Sequence, residues 1–265
     1  MAGNILEKIA ATKRMEVEAM KRLIPAEALR EHAVNVARTA LSMRDSILGQ
    51  ETAVIAEHKR RSPSKGEIFP MSEAGEIASG YAANGAAAMS VLTDTPYFGG
   101  STADLAVARM SAPALPLLRK EFIVDEYQLY QARIYGADAV LLIVAMTGDE
   151  DTRRLNDVAH EIGLQTLVEI HTPEEAAFVP ADADMAGINN RDLASFSTDI
   201  SNSARLIDRL PSGIVKIAES GIRTPDDVRR LKSVGFDGFL IGEAFMSSPD
   251  PGATLRVFIE YNRER

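Results

Sequence analysis

The chain has 265 residues, a length that suits one α/β barrel with a short extension, and its 46% hydrophobic and 25% charged shares are those of a globular protein with a large core. With 29 basic against 38 acidic residues the formal charge is −9, which disfavours nucleic acid or an anionic membrane as the main partner and obliges an anionic substrate to find a local basic site. The lack of cysteine excludes disulfides, thiolate metal sites and cysteine nucleophiles.

Residues 1–46 carry two helical patterns, ILEKIAATKRMEVEAMKR and AEALREHAVNV, with Pro25 between them, and no signal-peptide core. They are expected to form a helical extension packed on a single barrel domain spanning 1–265 of a cytoplasmic protein. Short aliphatic runs follow at near-constant spacing: 52–59 (TAVIAEHK), 88–94 (AMSVLTD), 115–122 (LPLLRKEF), 139–145 (AVLLIVA), 165–171 (QTLVEIH), 184–190 (DMAGINN), 214–220 (IVKIAES) and 238–245 (GFLIGEAF). Unbroken apolar runs suit parallel strands buried on both faces. Amphipathic segments such as EAGEIASGYAANG, DEYQLYQARIYGAD, DEDTRRLNDVAHEIG and TPDDVRRLKSVGFD lie between them, with Gly136, Gly163 and Gly235 where helices should end. TPEE and TPDD both read as Thr N-caps with Pro at the first helical position. Eight such βα units form either a closed (β/α)8 TIM barrel or a doubly wound open sheet; the regular spacing, with no long crossover, favours closure.

In a parallel barrel the informative residues are polar ones ending apolar strands, because strand C-termini face the site. Glu57 and Lys59 are two apart and share a side of their strand, whereas His58 points the other way. Lys120 ends the third run, Glu169 the fifth and Glu219 the seventh, so these five charged groups should converge. Desolvation and neighbouring charge should bring lysine pKa values down and carboxylate values up, toward neutrality, as acid–base work requires. HKRRSPSKG concentrates five basic side chains in one loop; it reads either as a solvated loop or, with Ser62, as an anion site. Ser220 and Gly221 in AESGI, and Gly242 and Glu243 in LIGEA, put small residues and backbone N–H groups where barrels bind phosphate, Glu243 through its N–H. Asn189 and Arg191 in GINNRDL add an amide and a guanidinium at the rim, either for a carboxylate or as a rim ion pair. Tyr97, Phe98, Phe122 and Leu240 either wall an aromatic substrate or fill the barrel. The four histidines show no metal-ligand spacing, and no dinucleotide or P-loop motif occurs.

Taken in order, AEHKRRSPSKG, SVLTDTPYFGGS, LLRKEFIVDEYQLYQAR, GADAVLLIVA, LVEIHTPEE, GINNRDL, AESGI and LIGEAFM resemble the motifs of the indole-3-glycerol-phosphate synthase family, and ILEKIAATKRMEV resembles its extra N-terminal helix. The resemblance implies a carboxy-lyase of tryptophan biosynthesis. It would convert 1-(2-carboxyphenylamino)-1-deoxyribulose 5-phosphate into indole-3-glycerol phosphate, with loss of CO2 and water and no cofactor. It implies Lys120 as general acid at the ribulose carbonyl oxygen and Lys59 as holder of the substrate carboxylate. Glu57 and Glu169 would be base and electrostatic partners, and Glu219 would orient the lysines or substrate hydroxyls. Ser62, Ser220, Gly221, Gly242 and Glu243 would take the phosphate, and Asn189 and Arg191 would lie beside the reacting part. The role of Lys65 stays open, and a monomer is the expected state. Two other readings remain: a related phosphoribosyl isomerase barrel, whose acid–base couples use Cys–Asp or paired Asp, and a non-catalytic barrel that binds a phosphorylated metabolite.

Overall fold

The computed structural model describes residues 5–191 and 198–263. The end of the GINNRDL motif and the first four residues of the sequence lie outside them. The barrel strands are β1 (Ala53–His58), β2 (Ala88–Leu92), β3 (Leu117–Lys120), β4 (Ala139–Ile143), β5 (Gln165–Ile170), β6 (Met185–Asn189), β7 (Val215–Glu219) and β8 (Gly238–Ile241). Each pairs in parallel with its sequence neighbours, and β8 pairs with β1 to close the barrel. All eight expected runs are therefore strands, and the closed alternative holds.

Alternate residues of each strand face inward. Ala53, Ile55, Leu118, Leu141, Leu167, Met185, Ile217 and Leu240 form one buried cluster inside the barrel. The opposite parity, including Val54, Met89, Leu117, Val140, Val168, Ile188 and Phe239, packs in the larger layer between strands and helices. Full burial of such side chains contributes about 1.5–3 kcal/mol each. The inward parity carries Glu57, Lys120, Glu169, Asn189 and Glu219 to the C-terminal mouth.

The extension forms α1 (Ile5–Leu23) and α2 (Ala26–Val34), with Pro25 at the boundary as its missing N–H and fixed φ require. A third helix that the pattern did not reveal, α3 (Met43–Leu48), is capped by Ser42, whose Oγ accepts the Asp45 N–H at 3.0 Å. Met43 and Ile47 are fully buried in the inner cluster, against the N-terminal ends of the strands. Gly136, Gly163 and Gly235 do take the left-handed conformation after helix ends.

Three boundaries differ from expectation. The last run leaves the sheet at Ile241, and Glu243–Met246 form a short helix, because Gly242 passes so close to β1 that a Cβ there would lie 2.4 Å from Glu57 Oε1. The fourth strand ends at Ile143, and Val144 enters the Val144–Glu161 helix, which breaks at Gly148 (φ 67°). TPDD makes a full capping box at Thr224 with Pro225 at the helix start, but TPEE initiates only the 3-10 turn Glu175–Phe178, since Pro180 closely follows and withholds an N–H.

Candidate active site

Inside the mouth, Lys120 Nζ donates to Glu169 Oε2 at 2.9 Å and makes a short contact with Glu219 Oε2. Both carboxylates are almost wholly buried, and the Lys120 side chain is 14% exposed. Asn189 Nδ2 donates to the other oxygen of Glu169 at 3.1 Å, and its own Oδ1 accepts the Arg191 N–H at 3.0 Å. Glu57 sits on the neighbouring wall, 2.8 Å from Lys59 Nζ. The five strand-end charges thus meet as two adjoining ion-paired groups rather than as free side chains.

The pKa expectation for the lysine is overturned. Burial alone would lower the Lys120 pKa, but the charges of Glu169, Glu219 and Glu57 outweigh it and raise it above the ordinary lysine value. Lys120 is therefore a cation at any working pH. The two carboxylates separate: burial, reinforced by the Glu169 charge, pushes Glu219 up to about 8, while for Glu169 the burial penalty is overcome by Lys120, His171 and Asn189, which bring it down to about 2. Of the two, Glu169 is therefore the carboxylate more readily ionised. Close packing fixes this arrangement, since a Cβ on Gly187 would lie 2.1 Å from Glu219 Oε1.

The basic loop after β1 is less free than its sequence suggests. His58 is buried on the outer face against Ser72, with Nε2 to Oγ at 3.0 Å, and burial holds its pKa down to about 4, so it adds no charge. Arg60 makes a two-point contact with Asp104 at 2.7 Å on each arm, and Arg61 donates to the carbonyls of Thr95 and Pro96. That leaves Lys59 and Lys65. Lys65 Nζ lies 3.3 Å from Glu243 Oε1, and Arg191 Nη2 lies 3.6 Å from Glu243 Oε2, so the Glu243 carboxylate is neutralised by two cations at the rim.

Across the mouth, β7 and β8 end in backbone turns. Ser220 (φ 65°) and Gly221 (φ 78°) are consecutive left-handed residues, and Ser220 is, among the described residues, the one non-glycine with positive φ. Such strain persists where surroundings impose it. Here the imposing residue is Asn190, buried, whose Nδ2 donates to the carbonyls of Glu219 at 3.1 Å and Ser220 at 3.2 Å. Ser62, Ser220, Gly221, Gly242 and Glu243 line one end of the same cavity as Lys120.

Phe98 and Phe122 line the other side with ring centroids 5.9 Å apart, and Leu240 contributes to the floor. Tyr97 does not join them. Its hydroxyl lies 3.3 Å from Thr12 Oγ1, facing α1, because the Asp94 cap of the Thr95–Phe98 turn sets the two neighbouring rings in different directions. The cavity and its open mouth together span about 1220 Å3, and every expected site residue except Tyr97 borders it.

Other residues were missed. Ile5, Leu6 and Ile9 of α1 border the cavity, as do Leu141, Ile143, Thr198 and Arg223. Strand parity alone identifies Leu141 and Ile143; for α1 the amphipathic pattern gave the apolar face but not what it covers. Lys13 of α1 is buried between Asp94 Oδ1 at 2.6 Å and Glu121 Oε1 at 3.3 Å, with Glu16 Oε2 at 2.9 Å. It ties α1 to the two loops that carry Phe98 and Phe122. His171 stands behind Glu169, with Nε2 3.3 Å from Oε1. Among the described residues no group of three or more His, Asp or Glu side chains is placed to hold a metal ion, and no helix is long and apolar enough to cross a membrane.

A closed (β/α)8 barrel whose mouth joins a lysine–carboxylate cluster, an aromatic wall and a strained Ser–Gly turn has the groups that acid–base barrel enzymes use. The comparisons are narrower. A family model for indole-3-glycerol phosphate synthase matches residues 6–258, and the chain belongs to that family. An indole-3-glycerol phosphate synthase of Bacteroides thetaiotaomicron is 48% identical over 257 residues, covering 97% of this chain and 98% of its own length. One from Albidiferax ferrireducens is 43% identical over 256 residues (95% and 97%), and one from Dehalococcoides mccartyi is 41% identical over 258 (96% and 100%). Among solved structures, thiamine phosphate pyrophosphorylase from Pyrococcus furiosus matches with a TM-score of 0.60 at 16% identity, covering 84% of this chain and 98% of that one, which is a likeness of fold alone.

Proposed function

We propose that the chain closes the indole ring of 1-(2-carboxyphenylamino)-1-deoxyribulose 5-phosphate, releasing CO2 and water to give indole-3-glycerol phosphate in tryptophan biosynthesis. The observation that carries the reading is Lys120, held as a cation between Glu169 and Glu219 with the aromatic pair and the Ser220–Gly221 turn bordering the same cavity.

Lys120 is the general acid. As the ring carbon attacks the ribulose carbonyl, the oxygen becomes an alkoxide far more basic than an ammonium group, so even a lysine of raised pKa protonates it readily. Lys59 holds the substrate carboxylate until it leaves as CO2 and assists departure of the hydroxyl as water. Glu169, kept as a carboxylate, and Glu57 stabilise positive charge at the ring nitrogen and accept the proton lost in dehydration. Glu219, protonated near neutrality, donates to a substrate hydroxyl or orients Lys120. The phosphate lies on Ser62, Ser220 and the backbone N–H groups of Gly221, Gly242 and Glu243. Asn189 and Arg191 flank the reacting carbons, and Phe98, Phe122 and Leu240 enclose the ring. The enzyme works in the cytoplasm as a monomer and without a cofactor.

The test is appearance of indole absorbance when the carboxyphenylamino deoxyribulose phosphate is added to protein dialysed against a chelator. Folded wild-type protein should turn over. Absence of product would leave the reading of a barrel that only binds a phosphorylated metabolite.

A further inference from the structure

His171 lies one residue beyond β5, on the inward parity of Glu169, yet outside the cavity lining. Its Nε2 is 3.3 Å from Glu169 Oε1 and its Nδ1 is 3.6 Å from Glu175 Oε2, with the side chain 11% exposed. Neither ring nitrogen makes an aligned hydrogen bond, so the coupling is one of charge. The backbone is fixed on both sides: the His171 N–H donates to Glu175 Oε2 at 2.7 Å, and its carbonyl accepts Asn202 Nδ2 at 3.3 Å. Three elements therefore fix the residue, namely β5, the Glu175–Phe178 turn and, through the backbone carbonyl, the Ser201–Leu206 helix.

The charge count gives this placement a purpose. Glu169 and Glu219 share one lysine, and two buried carboxylates with one cation cannot both ionise at little cost. A second positive charge beside Glu169, on the oxygen that Lys120 does not use, decides which of them keeps its proton. We propose that His171 is a positioning residue: its ring, set between Glu175 and the Glu169 oxygen that Lys120 does not use, supplies a second positive charge that keeps Glu169 ionised and its carboxylate oriented. The inference rests on the acid–base reading above.

The charged groups facing the ring agree in sign. Burial lowers the His171 pKa, but Glu175, Glu169 and Glu219 more than offset it, so that it lies above the ordinary histidine value. Lys120 is on the far side of Glu169, and the neighbouring Asn189 and Asn202 are neutral. His171 in turn contributes to the lowering at Glu169.

The experiment is the pH profile of kcat and kcat/KM for the full-length enzyme, for His171→Asn and for Glu175→Gln. It is read beside an NMR titration of the imidazoles, of which the chain has four. In His171→Asn the acidic limb of kcat/KM should move up by about one pH unit, so that activity falls about tenfold on that limb and changes little at pH 8. Glu175→Gln should move it in the same direction by less. By NMR, His171 should keep its proton above the ordinary histidine range in wild type and lose part of that elevation in Glu169→Gln. A profile that superimposes on wild type, or a loss that is uniform with pH, overturns the proposal; if His171→Asn does not fold, an unshifted limb in Glu175→Gln does so. The NMR shift needs no turnover, so its failure is distinguishable from failure of the indole reading, which would show as a wild type that makes no product.

Discussion

Replacing Lys120 by Met keeps most of the apolar stem and removes the cation that joins Glu169 to Glu219. Losing one partner of a buried ion pair costs about 3–5 kcal/mol, and for a chain of this length that is about 6–20 °C in Tm. The loss should depend on pH in a calculable direction. Without Lys120 both buried carboxylates acquire folded pKa values above the roughly 4.3 of an unfolded glutamate. The folded variant then binds more protons than the unfolded chain, and its stability falls as pH rises from about 4.3 through those values. In wild type Glu169 is instead lowered, to about 2, so its contribution is present above the unfolded pKa and is lost as pH falls toward 2. The Tm gap between the two proteins should be small near pH 4 and widen toward pH 8. In parallel, kcat should drop about 10²- to 10⁴-fold while affinity for inorganic phosphate changes little. Thermal melts in buffers from pH 4 to 8, with steady-state indole formation at pH 7.5, measure both. A Tm gap constant with pH, or a loss confined to KM, would refute the reasoning.

Gly187→Ala should lower kcat at least tenfold in a folded protein, because its Cβ would meet Glu219 Oε1 at 2.1 Å and displace it from Lys120; circular dichroism with steady-state kinetics checks this. Lys13→Met should cost about 3–5 kcal/mol in urea unfolding, since Asp94 and Glu121 lose a buried counter-charge, whereas Lys21→Met, whose partners are more exposed, should cost under about 1 kcal/mol. Phe122→Ala should raise KM about 10-fold with a smaller effect on phosphate affinity, because it removes half of the tilted aromatic pair; inhibition by inorganic phosphate separates the two.

Strand-end chemistry was legible because it depends on period alone. Once AVIAEHK is a strand, Glu57 and Lys59 share a side and His58 does not, and the same counting places Lys120, Glu169 and Glu219 together. The turn proposed to take the phosphate was legible as a turn because Ser–Gly after an apolar run marks a sharp change of backbone direction, and Ser220 and Gly221 are indeed left-handed. What stayed hidden depends on partners far away in sequence. Lys13 reads as one more solvated charge on an amphipathic helix, since nothing local announces Asp94 or Glu121. The basic loop could be read as a solvated loop or as an anion site, and neither reading foresaw that Arg60 and Arg61 are spent on Asp104 and on two backbone carbonyls. Likewise α3 is too short to show a period, and its burial follows only from the need to plug the barrel floor. The direction of the Lys120 shift was misjudged because desolvation was weighed without the number of carboxylates that would surround it.

The central claim, that Lys120 protonates the ribulose oxygen of a substrate anchored at Ser220 and Gly221, is tested most directly by a crystal structure with an unreactive analogue whose carbonyl is reduced to an alcohol. The account predicts the phosphate on the Ser220, Gly221 and Gly242 turns, the aromatic ring against Phe98 and Phe122, and the alcohol oxygen about 3 Å from Lys120 Nζ. An analogue bound in the reverse sense, or an oxygen beyond hydrogen-bond reach of Lys120 while Lys59 touches it instead, would contradict it.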